Sequence, residues 1–160
     1  MFKSTVLGAL LISVSAFASA SNNAITEDQY NYKVNDGLFA LNSKNYKDAL
    51  PKLTEAAKLG SKEAQFYLAQ MYLNGWGTEA DYQEGWLWLN VALEQRTTDW
   101  REAFTKIKRA LPEDFINAMQ PYVDKHIQEF GAESQNLDCR RKRQTGSNIT
   151  NIICTKRFIM

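Results

Sequence analysis

Cys139 and Cys154 are the two cysteines of the chain, and Arg140-Arg141-Lys142-Arg143 stands between them. Two thiols so spaced can close a disulfide, ligate a metal or cycle as a redox pair. A tetrahedral zinc site needs four ligands, and no histidine lies near this pair; the spacing is also not Cys-x-x-Cys. A structural disulfide is the expectation, and chain-entropy arithmetic gives about 3 kcal/mol for a loop of this size. Inside the loop, Thr145-Gly146-Ser147-Asn148 is turn chemistry, and the β-branched run after it reads as a strand. The reading is a disulfide-pinned hairpin.

The basic run carries a chemistry of its own. Residues 139–160 hold six basic side chains and no acid, whereas residues 21–138 hold 12 basic and 18 acidic ones. Arg140, Arg141, Lys142 and Arg143 could dock on an anionic surface, such as lipid headgroups of an outer membrane or a cell-wall polymer, or on the acidic body of another copy. The plain alternative is a solvated basic turn. Nucleic acid is not the expected partner, because the run lacks interleaved aromatics for stacking.

Catalytic constellations are missing from the sequence. The single histidine, His126, stands beside Asp124 and Lys125 with no second ligand at zinc-site spacing. There is no Gly-x-Ser-x-Gly elbow, phosphate loop or Ser-x-x-Lys motif. Glu113-Asp114 follows Pro112 and reads as a helix start. The expectation is a protein with no catalytic residues, no cofactor and no bound metal.

The first twenty residues read as a cleavable export signal. Lys3 supplies the positive start, Val6 to Phe17 the apolar stretch, and Ala18-Ser19-Ala20 the small-residue cleavage site. The apolar run is too short for a membrane span, which needs roughly 20 apolar residues. A periplasmic or secreted protein that does not span the membrane is expected, with residues 21–132 as a helical domain and 133–160 as the basic cysteine-bearing tail.

Alanine, leucine and aromatic residues recur at helical spacing through that domain, which predicts helices at 26–42, 46–59, 62–74, 81–95, 98–110 and 113–130. Two of these pairs are copies of one unit. Asn45-Tyr46-Lys47-Asp48-Ala49 is matched 36 residues later by Asp81-Tyr82-Gln83-Glu84-Gly85, with Leu53 against Leu89 and Ala56 against Ala92. The preceding helices correspond at an offset of 32, Ala40-Leu41-Asn42 against Tyr72-Leu73-Asn74. The longer second loop holds Gly75-Trp76-Gly77.

Ala64-Gln65, Leu68-Ala69, Met71-Tyr72, Gly75-x-Gly77, Asp81-Tyr82 and Trp88 through Ala92 resemble the Sel1-like repeat, a relative of the tetratricopeptide repeat. The resemblance covers about 44–95, and the two helices at 98–130 are similar to the pair that closes such arrays. Gly85 departs from it, since the family prefers alanine there. The resemblance implies an all-α, short helix-hairpin array whose concave face, carried by the first helix of each pair, binds another protein.

On helix 62–74 the core takes Ala64, Leu68, Met71 and Tyr72, which leaves Tyr67, Gln70 and Asn74 on another stripe. Their counterparts 32 residues earlier are Asn35, Leu38 and Asn42. Asn35, Tyr67, Gln70 and Asn74 are therefore candidate partner-binding residues, suited to hydrogen bonding to an extended peptide backbone or a polar polymer, with a plain solvated helix face as the alternative; Trp76, between two glycines, either packs back over the helical hairpin or joins them as an aromatic anchor for a partner. Trp88 is expected in the core. Trp86 could face either way, and Trp100 is expected in the cap with Phe104 and Ile107. The function these readings predict is an adaptor for an envelope or secreted protein, with an anionic envelope surface bound through the basic hairpin as the alternative and a hydrolase as the remaining reading.

Overall fold

The computed structural model describes residues 25–158, so the expected export segment at 1–20 lies outside the described residues. Six helices are followed by a hairpin: α1 (Glu27–Asn42), α2 (Tyr46–Lys58), α3 (Lys62–Asn74), α4 (Tyr82–Ala92), α5 (Thr98–Ala110), α6 (Glu113–Phe130), β1 (Leu137–Arg143) and β2 (Thr150–Lys156). Among the described residues no helix is long and apolar enough to cross a membrane.

Side-chain caps set most of the starts. Thr26 and Gln29 form a reciprocal capping box on α1, Ser61 accepts from Ala64 N, and Thr97 accepts from Trp100 N. Asp81 accepts from Gln83 N and Glu84 N, so it caps α4 and stands just before it. The fourth helix also ends before the expected residue 95. Beyond Ala92 the chain tightens into a turn, with Gln95 N donating to Ala92 O, and Arg96 extends to pair with Ile152.

The two helical hairpins α1/α2 and α3/α4 stack through their matched small residues. Ala49, Leu53 and Ala56 on α2, and Leu89 and Ala92 on α4, have no accessible surface. Burying each leucine stabilises the fold by roughly 1.5–3 kcal/mol. Gly85 departs from the repeat pattern for a steric reason: a Cβ there would lie 2.6 Å from Leu73 Cγ and 3.2 Å from Ala69 O, where α4 crosses α3.

Aromatic rings attach the last two helices. Trp86 and Trp88 are both buried but point to different neighbours. Trp86 stacks on Phe104 of α5 at 5.3 Å, whereas Trp88 meets His126 edge-on at 4.5 Å and Phe130 of α6 at 5.0 Å. Trp100 stacks almost parallel on Phe66 at 4.4 Å. The helices α5 and α6 thus cover the apolar side of the second repeat, as a cap should.

The hairpin pairs in antiparallel register, with Cys139 opposite Cys154 and joined to it by a disulfide. Although its composition sets it apart, it is docked on the body. Leu137 is buried, Cys154 N donates to Gln95 Oε1 at 3.1 Å, and Lys156 Nζ donates to Leu59 O at 2.7 Å. Phe158 then meets Tyr30 of α1 edge-on at 5.6 Å. These contacts fall at the start of α1, the end of α2 and the end of α4, so the hairpin straps one edge of the array.

Candidate functional site

Helix α3 is the centre of the molecule, and its circumference is nearly all used. Ala64, Gln65, Phe66, Leu68, Ala69 and Met71 are buried and Tyr72 and Leu73 half-buried, and a further set reaches the surface, Glu63, Tyr67, Gln70 and Asn74. Spacings of three and four put these on one stripe. Tyr67 and Gln70 are half-buried and Asn74 is exposed. Tyr67 is fixed from the side by Phe66, edge-on at 5.8 Å, and Phe66 is itself held by Trp100. Asn74 Nδ2 donates to Gln70 O at 2.7 Å, which orients the amide along the stripe.

On α1, Asn35 and Asn42 are exposed and Leu38 is half-buried. Sequence reasoning missed two larger neighbours on that helix, Tyr32 and Phe39, which are 70% and 72% exposed. The repeat offset holds the signal that could have found them. Phe39 corresponds to Met71, which is fully buried because α3 stacks on the preceding pair. Among the described elements α1 packs against α2 and α3, and nothing stacks on its outer side.

Trp76 packs back over the helices. Trp76 is half-buried, its ring stacks on Tyr46 at 5.3 Å, and its backbone N–H donates to Met71 O. Gly75 and Gly77 both have positive φ, and a Cβ on Gly77 would lie only 2.4 Å from Tyr46 O. The loop needs glycine there so that backbone can touch backbone.

The basic run divides. Arg140 pairs with Asp138 at 2.6 Å, and that hydrogen bond holds the Asp138 carboxyl below the usual carboxylate range. Arg141, Lys142 and Arg143 are exposed and have no acidic partner among the described residues.

His126 is half-buried between Trp88 and Phe130, and burial pushes its imidazole pKa down. Its Nε2 has no hydrogen-bond partner among the described residues. No group of three His, Cys, Asp or Glu side chains that could hold a metal ion occurs among the described residues.

No family model and no curated protein matches this chain. Its fold is similar to the crystal structure of a protective antigen present in uropathogenic Escherichia coli strains and displaying a Sel1-like repeat fold, with a TM-score of 0.58 and 21% sequence identity. The similarity covers 74% of this chain and 27% of that one, so this chain spans about a quarter of the antigen's length. What the two share is the helical-repeat architecture.

Proposed function

We propose that the protein works outside the cytoplasm as a helical-repeat adaptor, taking an extended segment of another envelope or secreted protein along the α1/α3 face. The observation that carries this reading is the uncharged stripe by which α3 reaches the surface, Tyr67, Gln70 and Asn74, continued on α1 by Asn35 and Asn42. Tyr67, Gln70 and Asn74 offer hydroxyl and amide donors and acceptors without charge, which suits a peptide backbone, Tyr67 adds a fixed aromatic wall, and Glu63 marks the charged end of the stripe. Trp76, already stacked on Tyr46, serves as a rigid boundary. The work is binding: the α3 stripe holds one acid, Glu63, and its other members are a phenol and two amides.

The disulfide supports an oxidising compartment, as does the signal-like composition of residues 1–20. The test is a photo-crosslinking side chain placed at Asn74 or Asn35, both exposed, in cells that make the protein natively, with Lys47 of α2 as the control position. The expected result is one protein captured from both groove positions, absent from Lys47, and lost when Tyr67 and Gln70 become alanine. The same products from all three positions, or none from the groove, would overturn the reading.

A further inference from the structure

Strand β2 has a partner on each side. Ile152 lies opposite Arg141 of β1, and its other edge pairs with Arg96 through Arg96 N to Ile152 O at 2.9 Å and Ile152 N to Arg96 O at 3.0 Å. Directly opposed residues of antiparallel strands send their side chains to the same face, so Arg141 and Arg96 flank Ile152 on one side of a three-chain ribbon. Arg143, two residues along β1, shares that face. Arg101 of α5 lines the same cleft as Arg96. All four arginines are exposed, and none is in an ion pair among the described residues. Glu94, the acid of that cleft, is engaged by Lys62.

We infer that Arg96, Arg101, Arg141 and Arg143 form one cationic face that docks the protein on an anionic phospholipid surface. Two of the four come from the helical body, so this face is not the run of basic residues in the sequence. Arg140, a member of that run, is outside it because Asp138 already holds it. Arg96 and Arg141 stand about 10 Å apart across two strand spacings and Arg143 lies further along β1, so the set spreads well beyond the cleft that Arg96 shares with Arg101. Such a spread matches a plane of phosphates better than one bound anion. Guanidinium groups take phosphate oxygens two at a time. The stripe on α1 and α3 plays no part in this surface.

The test is co-sedimentation of the full disulfide-bonded chain with phosphatidylglycerol-containing vesicles, and with phosphatidylcholine vesicles alone, at low and high salt. Binding is expected to the anionic vesicles only and to fall as salt rises. Arg96→Gln, Arg101→Gln and Arg141→Gln each weaken it about five-fold, following the usual contribution of one basic residue near an anionic membrane. Arg140→Gln leaves it close to wild type, and Asn74→Ala in the groove leaves it unchanged. Equal loss from Arg140→Gln and Arg96→Gln would overturn the composite face. Soluble polyphosphate bound as tightly as the vesicles would overturn the bilayer as its occupant.

Discussion

Lys62 Nζ sits 2.6 Å from Glu94 Oε2, joining the first residue of α3 to the turn after α4 in a position where the lysine is almost wholly buried. The same ammonium donates to Gln65 Oε1 and to Val91 O, both at 2.9 Å, so its three protons are all used. Glu94 Oε2 in turn accepts from Ala132 N at 2.7 Å. Buried Gln65 donates to Ala57 O at 2.9 Å and to Phe130 O at 3.0 Å. One polar knot therefore ties the ends of α2, α4 and α6 to the start of α3.

Removing the cation leaves Glu94, Gln65 and a buried carbonyl without their donor. Lys62→Met is expected to destabilise the fold by about 3 kcal/mol, with part of the loss recovered in Lys62→Met combined with Glu94→Leu. Urea unfolding of the two variants checks this. A Lys62→Met midpoint equal to wild type would show that the knot adds nothing.

Burial lowers the pKa of His126 from its ordinary 6.5, with Glu129 opposing the shift. The folded protein holds the ring neutral, so the unfolded chain takes up this proton first as pH falls below 6.5. Stability present above that pH is lost as pH drops through the folded-state value. Glu84 pulls the other way, because burial raises its carboxyl pKa and the folded protein then takes the proton first. The expected outcome is that His126→Phe, which fills the same aromatic niche, loses less stability than wild type between pH 7.5 and about pH 5.5 in urea titrations. Parallel curves would exclude His126 as the group responsible.

Two glycines with similar positive φ separate conformational cost from steric cost. Gly146, at the hairpin turn, has φ 76° and open space where a Cβ would stand; Gly77 has φ 79° and a backbone carbonyl 2.4 Å away. Gly146→Ala is expected to cost about 1 kcal/mol, and Gly77→Ala about 3 kcal/mol because the loop must also lift from α2. Gly77→Ala should alter tryptophan fluorescence as well, since Trp76 leaves Tyr46. Thermal melts and emission spectra of both variants decide it, and equal melting shifts would remove the steric argument.

Much of this was legible in the residue order because its causes are local. Hydrophobic spacing, the glycines after α3 and the Pro112-Glu113-Asp114 start locate six helices to within three residues at each end. The internal match of Leu53 with Leu89 and Ala56 with Ala92 identifies the repeat and its packed face, and two cysteines flanking turn residues identify the hairpin and its disulfide. The outward stripe Tyr67, Gln70 and Asn74 also follows from spacing, since a helix sorts residues to its faces whatever it packs against.

Tertiary structure decided what depends on which elements meet. Spacing leaves Trp86 ambiguous, and only the placement of α5 turns it inward onto Phe104. Lys62 and Gln65 carry no sequence mark of burial; they are buried because the ends of three other helices converge on them and supply partners that make burial tolerable. Arg96 and Arg141 lie 45 positions apart in the chain and become neighbours only because β2 runs between them. Local pattern is written in the sequence by backbone geometry, whereas the joining of distant charges and amides into one surface is set by packing, which no short stretch of the chain contains.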